Sequence, residues 1–414
     1  MSLSVWYRRF AVHGPGPLYE WVLFVFLLPL GLLYGSAGFL RVLAYRRGWL
    51  PSVGLGVPVV SVGNLVAGGT GKTPMVDYLL EWSRRHKVRA AVLSRGYGGK
   101  RSTDLLTVCA GGGLLATPEA AGDEPYLLAL KHPEATILVS HNRVAAGREA
   151  IGRHNAELLI LDDGFQHLRL RRDLNLLLAD AIHPFGNGRV LPAGYLREFP
   201  GAMDRADILI MTRARGEGGM TPPFIGPILK TRHRPAPFMV DQHGEKIPTG
   251  AVKGKKGIAF CGIADPESFF DQLRQLGVEL VASFGFPDHF SYPADFFKRF
   301  SHVIGEAGFF LTTEKDGVKL GQLRLPLPCY QLPMDLDFLA GEEVLDVALN
   351  QLMNKDKESM PLSRDLLEIL ACPQCKGEVH VNDAESEILC DHCRLAYPVR
   401  DEIPVMLIDE ARSL

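Results

Sequence analysis

A net charge of either sign is nearly missing from this chain as a whole. Its 414 residues carry 45 Lys and Arg against 47 Asp and Glu, and no tail of like charge offers a handle for a polyanionic partner. Cysteine is sparse before the C-terminal region. Cys109, Cys261 and Cys329 stand singly in apolar or loop sequence, which reads most simply as buried thiols in a reducing compartment and not as a disulfide framework. Internal repeats are absent. Also missing is a small-x-small cleavage site after the apolar N-terminal stretch, which argues against a signal peptide.

What is present is an ordinary globular composition, 47% hydrophobic, in a chain long enough for two or three domains. The N-terminal stretch Trp21–Leu40 has 20 residues without a formal charge, about the length that crosses a bilayer core. Pro29, Gly31, Gly35 and Gly38 would loosen a straight helix, so a kinked or interfacial anchor and a full span both fit. A buried core helix is the bland alternative. Membrane association is the reading preferred here, for a segment covering residues 1–50.

Short, almost wholly apolar runs follow, as in strands buried on both faces of a parallel sheet. They are Val57–Val62, Ala90–Ser94, Ile137–Ser140, Leu158–Leu161, Leu174–Leu178, Ile208–Thr212, Gly257–Cys261 and Phe309–Thr312. Amphipathic stretches such as MVDYLLEWSRRH and PESFFDQLRQLG supply crossover helices. The class is α/β, a doubly wound parallel sheet. The Pro- and Gly-rich segment Gly216–Pro237 is expected to divide it into two lobes. Asn354–Ser359 reads as a polar linker, within a linker spanning 354–361 that separates the α/β domain (51–353) from a tail domain (362–414).

The run VPVVSVGNLVAGGTGKTP leads from a strand into a glycine-rich turn ending in Gly-Lys-Thr. The strict phosphate-loop pattern wants a glycine where this chain has Val66. The chemistry does not hang on that position. Gly68, Gly69 and Gly71 let backbone N–H groups turn toward an anion, and Lys72 supplies a charge for the β- and γ-phosphates. Thr73 offers a hydroxyl to Mg²⁺, and the phosphates would rest at a helix N-terminus. The candidate nucleotide loop is Val66, Ala67, Gly68, Gly69, Thr70, Gly71, Lys72 and Thr73. In LLILDDGFQH, Asp162 and Asp163 end a buried strand, where a Mg²⁺-binding carboxylate is expected. No Asn-Lys-x-Asp element marks a guanine site, so ATP is the expected nucleotide.

Seven ordered motifs, VGNLVAGGTGKTP, SRGYGG, GDEP, LDDGFQH, PAGYLRE, FPDHFSY and LTTEKDGVKL, together resemble the tetraacyldisaccharide 4'-kinase family, the lipid A 4'-kinases of Gram-negative bacteria. The similarity runs from about Leu18 to Leu352, and the family's loop also carries a non-glycine residue at the Val66 position. The resemblance implies phosphoryl transfer from ATP to the 4'-hydroxyl of a tetraacylated glucosamine disaccharide 1-phosphate, at the cytoplasmic face of the inner membrane. It implies Asp123 as catalytic base with His289 in support, and Lys72 and Thr73 on phosphates and Mg²⁺. Asp162 or Asp163 would complete the metal site, with Glu198 a second ligand. Arg197 would offset transferring charge, and Lys315 and its neighbours would lie near the adenine. Two other readings are a soluble P-loop ATPase with Trp21–Leu40 as core, and an adaptor in which the ATPase acts as a switch.

At the C-terminus, Cys372, Cys375, Cys390 and Cys393 form two C-x₂-C knuckles, a spacing suited to a tetrahedral structural zinc. LLEILACPQCKGEV and LAYPVRDEIPVMLIDEA resemble a small zinc-ribbon family whose members activate methyltransferases by binding them. From Leu362 onward 11 acidic residues face 5 basic ones. That balance repels nucleic acid and favours a stabilising or protein-binding module, with a methyltransferase as the candidate partner.

Overall fold

The computed structural model describes residues 3–100, 103–214, 220–263, 265–288, 290–321, 323–358, 370–382, 387–400 and 403–414. It divides into two compact units, Met1–Asp346 and Val347–Leu414.

The first unit opens with helices α1 (Leu3–His13) and α2 (Leu18–Arg46). Eight strands then follow: β1 (Val59–Asn64), β2 (Ala90–Ser94), β3 (Leu105–Ala110), β4 (Thr136–Ser140), β5 (Leu158–Asp162), β6 (Leu174–Asp180), β7 (Ile208–Thr212) and β8 (Ile228–Pro235). Helices α3 (Lys72–Arg85), α4 (Pro118–Ala121), α5 (Asp123–Lys131) and α6 (Arg143–His154) connect them. The chain next builds a second sheet from β9 (Phe238–Val240), β10 (Lys246–Pro248), β11 (Lys256–Cys261), β12 (Glu279–Gly285), β13 (Phe309–Thr313) and β14 (Cys329–Leu332). Helices α7 (Pro266–Gln275) and α8 (Glu314–Gly317) belong to this lobe. Strand β15 (Met334–Ala340) returns to the first sheet, and α9 (Glu342–Glu358) follows.

The strand order is β15-β8-β7-β6-β1-β5-β2-β4-β3 in the large sheet and β10-β9-β14-β13-β11-β12 in the small one. The interior of the large sheet is parallel, with antiparallel pairs at its edges, β3 on β4 and β15 on β8. Strands β1, β2, β4, β5 and β7 are buried at every residue, because crossover helices cover both faces. Order reverses about β1, with β5 on one side and β6 on the other. At such a switch point the connecting loops diverge and leave a crevice beyond the strand ends. The loop after β1 opens there.

All eight apolar runs are strands, and the two-lobed doubly wound architecture is present. Two expectations need correction. Gly216–Pro237 is not a plain divider, since its second half is β8, paired with β7 and β15. Alternating residues in ILKTRHRP serve an edge-proximal strand with one buried face, which hides the strand from a search for apolar runs. The polar run at 354–358 is helical, forming the last turns of α9; Lys and Glu are good helix formers. Ser359 lies outside the described residues.

Helix α2 is unbroken through Pro29 over 29 residues, about 43 Å at 1.5 Å per residue. Among the described residues it is the one helix long and apolar enough to cross a membrane. Its buried residues are Glu20, Gly31, Gly35 and Val42, while Leu18, Trp21, Val25, Phe26, Leu33, Phe39 and Leu40 are exposed. This exposure rules out the core-helix reading. Gly31 and Gly35, one turn apart, let the helix settle onto the segment after β6: a methyl group on Gly31 would stand 3.2 Å from the Val190 carbonyl, and one on Gly35 would overlap the Phe199 ring. Glu20 is held by Arg9, Trp6 and the Gly16 N–H, which fixes the turn between α1 and α2.

In the second unit, short antiparallel strands (His380–Val381, Glu387–Cys390, Leu395–Arg400) surround a small core of Cys372, Ile388, Cys390 and Tyr397.

Candidate active site

Strand β1 delivers the chain to the phosphate loop. Val66 is buried among Leu65, Phe165, Leu196 and Met211, so its side chain anchors the loop in the core and does not face a ligand. That explains an apolar residue where the strict pattern has glycine. The loop is braced from both sides. Asn64 Nδ2 donates to the Gly68 carbonyl at 3.1 Å and to Thr70 Oγ1 at 2.8 Å, and the Ala67 N–H donates to the Tyr195 carbonyl at 2.7 Å. Gly71 caps α3 at φ +83°, a left-handed conformation that glycine adopts without strain. Lys72 and Thr73 then start the helix, with its N–H groups and positive dipole end facing the cleft.

Asp162 and Asp163, at the end of β5, have opposite surroundings. Asp162 is buried; one carboxylate oxygen accepts from Ser94 Oγ at 2.9 Å, and the other is buried without a partner. Burial, reinforced by the charge of Glu124, pushes its carboxyl up to about 6. Asp163 takes a left-handed φ of +52°, which turns its side chain away from its neighbour's. Both of its oxygens accept from Arg197 Nη1 at 2.9 Å, and Lys72 Nζ lies 3.5 Å away. Burial opposes its ionisation, but Lys72 and Arg197 together hold it below the usual carboxylate range.

Asp123 is the first residue of α5 and sits 3.4 Å from Lys319 Nζ. His289 lies outside the described residues. Glu198 follows Arg197 in the chain and has its own partner. It is buried with Arg205, which engages both of its oxygens at 2.7 and 2.9 Å, and the guanidinium lies over the Phe165 ring.

A cleft of about 300 Å³ runs between the two sheets, lined by Gly69–Pro74 at one end and Ile263, Phe269, Leu332 and Met334 at the other. Charged pairs tie the lobes together around it: Lys315 reaches Glu124 at 3.1 Å, as well as Asp288 of its own lobe at 3.1 Å, and Lys131 lies 3.7 Å from Glu314. Lys315 thus lies in the cleft. Sequence reasoning passed over Glu124 and Lys319, although both stand inside quoted motifs, GDEP and LTTEKDGVKL. The apolar lining from the second lobe and the residues Arg213 and His233 had no local signal.

In the second unit the ligand atoms of Cys372, Cys375, Cys390 and Cys393 lie within 4.8 Å of one another. The closest pairs are 3.6 Å (Cys375–Cys390) and 3.9 Å (Cys372–Cys393). Four ligands at about 2.3 Å around one zinc stand about 3.8 Å apart, whereas a disulfide needs about 2.05 Å. The cluster fits a metal ion.

Comparisons with known proteins agree with this geometry. The family model for tetraacyldisaccharide-1-P 4'-kinase matches residues 23–354, and a model for Trm112p-like proteins matches residues 363–402. A tetraacyldisaccharide 4'-kinase of Syntrophotalea carbinolica is 46% identical over 338 residues, covering 82% of this chain and 95% of that protein. The corresponding protein of Geobacter sulfurreducens is 43% identical over 323 residues, covering 77% and 91%. A crystal structure of the "apo" form of LpxK from Aquifex aeolicus in complex with ATP superposes with a TM-score of 0.68 at 35% identity, covering 80% of this chain and 99% of that one. The chain therefore belongs to the tetraacyldisaccharide-1-P 4'-kinase family, with a Trm112p-like segment at its C-terminus.

Proposed function

We infer that this protein transfers the γ-phosphoryl group of ATP to the 4'-hydroxyl of a tetraacylated glucosamine disaccharide 1-phosphate, a step of lipid A biosynthesis. The observation that carries the reading, within a chain of this family, is that the phosphate loop and Glu124, at the start of α5, line one interlobe cleft, with Asp163 3.5 Å from Lys72. The loop N–H groups from Gly68 to Thr73 and the start of α3 hold the phosphates. Lys72 places its charge where negative charge accumulates during transfer.

The donor set fits Mg²⁺. Thr73 offers a hydroxyl, and the unpartnered oxygen of Asp162 offers a carboxylate in a position where nothing else satisfies it. Asp163, already engaged by Arg197 and Lys72, orients Lys72 and is not the direct ligand. When bound, the ion neutralises charge on the phosphate oxygens. Glu198, engaged by Arg205, is left out of this ligand set. Asp123, with His289 in support, accepts the proton of the 4'-hydroxyl as that oxygen bonds to phosphorus and the bond to the ADP leaving oxygen breaks. Ile263, Phe269, Leu332 and Met334 provide apolar walls for the adenine, with Lys315 beside them.

The acceptor's acyl chains sit in a bilayer, and the exposed apolar flank of α2 supplies an anchor there. ATP as donor puts the site on the cytoplasmic face of the inner membrane. The four C-terminal cysteines hold a structural zinc. Their acidic unit serves as a stabilising or protein-binding module, with a methyltransferase as candidate partner and no role in nucleic-acid binding. The test of the activity is ³¹P NMR of the lipid after incubation with ATP and Mg²⁺ in mixed micelles. A new phosphomonoester at the 4' position is expected; an unchanged lipid spectrum contradicts the reading.

A further inference from the structure

On the side of the phosphate loop away from Asp162 and Asp163, two residues have no part in the chemistry above. Arg213 directly follows β7 in a left-handed conformation, φ +57°. Its Nη1 donates to Asp180 Oδ2 at 2.9 Å, and its Nη2 to the Gly69 carbonyl at 3.2 Å. The guanidinium is thereby clamped between the end of β6 and the loop itself. His233 lies one strand further out, on β8. Its Nε2 is buried without a hydrogen-bond partner, and a methyl group on Gly71 would come within 3.0 Å of it. Both side chains line the cleft. Burial and the Arg213 charge push the imidazole down to about 4, so near pH 7 it is neutral, with one ring nitrogen carrying a proton.

A buried polar atom left unpaired is costly, and a ligand hydrogen bond removes that cost. Sheet order decides which part of a nucleotide can reach it. Strands lie about 4.8 Å apart. In the order β8-β7-β6-β1-β5, the acids at the end of β5 are one spacing from β1. Arg213 and His233 are two and three spacings away on the opposite side. The γ-phosphate must face the acids and the base, so the rest of the nucleotide leaves toward β7 and β8.

We propose that Arg213 and His233 form the subsite for the nucleoside 5'-phosphate end of ATP, with His233 Nε2 hydrogen-bonding the ribose–α-phosphate segment and the Arg213 guanidinium facing the ribose. Both act as positioning residues. The inference rests on the cleft being an ATP site, and it adds the residues that grip the half of the nucleotide remote from the chemistry.

The test compares His233→Phe, which keeps a flat ring without a polar atom, with His233→Gln, whose amide can restore the hydrogen bond. Dissociation constants for ATP and ADP are measured by calorimetry on the full chain in micelles, together with the KM for the lipid. The Phe variant is expected to weaken ATP and ADP by the same factor, about tenfold. The Gln variant should recover most of that loss, with the lipid KM unmoved. Phe and wild-type proteins binding both nucleotides alike would overturn the proposal while leaving the kinase reading intact. So would a loss confined to ATP, which would place the ring at the γ-phosphate, or a Gln variant as weak as Phe. Wild-type protein that binds neither nucleotide sinks the kinase reading as well. Should the Phe variant not fold, the imidazole ¹⁵N resonance of His233 in the wild type decides: it should shift on adding ADP, and an unmoved resonance overturns the subsite.

Discussion

Asp162→Asn is expected to make the nucleotide-free kinase unit more stable at alkaline pH while removing its activity. In the folded protein the carboxyl is pushed up to about 6 from an ordinary 3.8, chiefly by burial. A carboxyl whose folded value lies above its unfolded one favours folding only while protonated. Its burden therefore appears as pH rises through the unfolded value and is complete above the folded one. A shift from 3.8 to about 6 corresponds to about 3 kcal/mol at 1.36 kcal/mol per unit. Roughly half of that accrues between pH 5 and pH 8. Asparagine can keep the hydrogen bond from Ser94 and carries no charge to desolvate. Urea unfolding in micelles with chelator present, followed by the fluorescence of buried Trp82, gives the difference between variant and wild type at each pH. That difference should move steadily in the variant's favour from pH 5 to pH 8, whatever constant offset the asparagine introduces. Parallel pH profiles for the two proteins would refute the placement of an unpaired, buried carboxylate at this position. With it would go the reading of the unpartnered Asp162 oxygen as the Mg²⁺ donor.

Glu198→Ala should destabilise the kinase unit by about 3–5 kcal/mol, because it strands the buried Arg205 guanidinium; thermal unfolding reads this. An unchanged melting point with a raised Mg²⁺ requirement would instead restore Glu198 as a metal ligand. Gly35→Leu should lower both thermal stability and lipid kinase activity, since its side chain would overlap Phe199 and prise α2 from the 190–199 segment; wild-type behaviour would mean that α2 is not docked there. The double variant Cys375→Ser, Cys393→Ser should lose zinc, measured by atomic absorption, and unfold the C-terminal unit, whose small core leaves the metal supplying on the order of 10 kcal/mol. Phosphoryl transfer should survive, and loss of activity in step with zinc would contradict the modular reading.

Much of the fold was legible because parallel strands buried on both faces read as unbroken apolar runs, and β2 and β7 match their expected bounds residue for residue. What escaped were strands with one wet face. Strand β15, MDLDFLA, and strand β8 pair antiparallel at the sheet edge, and their alternating pattern is weak over so few residues. The phosphate loop was legible from local chemistry, since glycines and a Lys-Thr pair must be adjacent in sequence to form it. Partners across the fold were not. Nothing near Glu198 in the chain shows that Arg205 takes both its oxygens, or that His233 meets Gly71 across three strands. The roles of Asp162 and Asp163 could be separated only once Ser94 and Arg197 stood beside them.

The most direct measurement of the central claim is the initial rate of ADP release by the purified protein in mixed micelles. It compares the tetraacylated disaccharide 1-phosphate with an analogue lacking the 4'-hydroxyl, for wild type and Lys72→Ala. The account predicts rapid release with the true acceptor, background release with the analogue, and a loss of about 10²-fold or more in the Lys72 variant, while its binding to micelles stays unchanged. Equal release with both lipids, or an undiminished rate without Lys72, would contradict it.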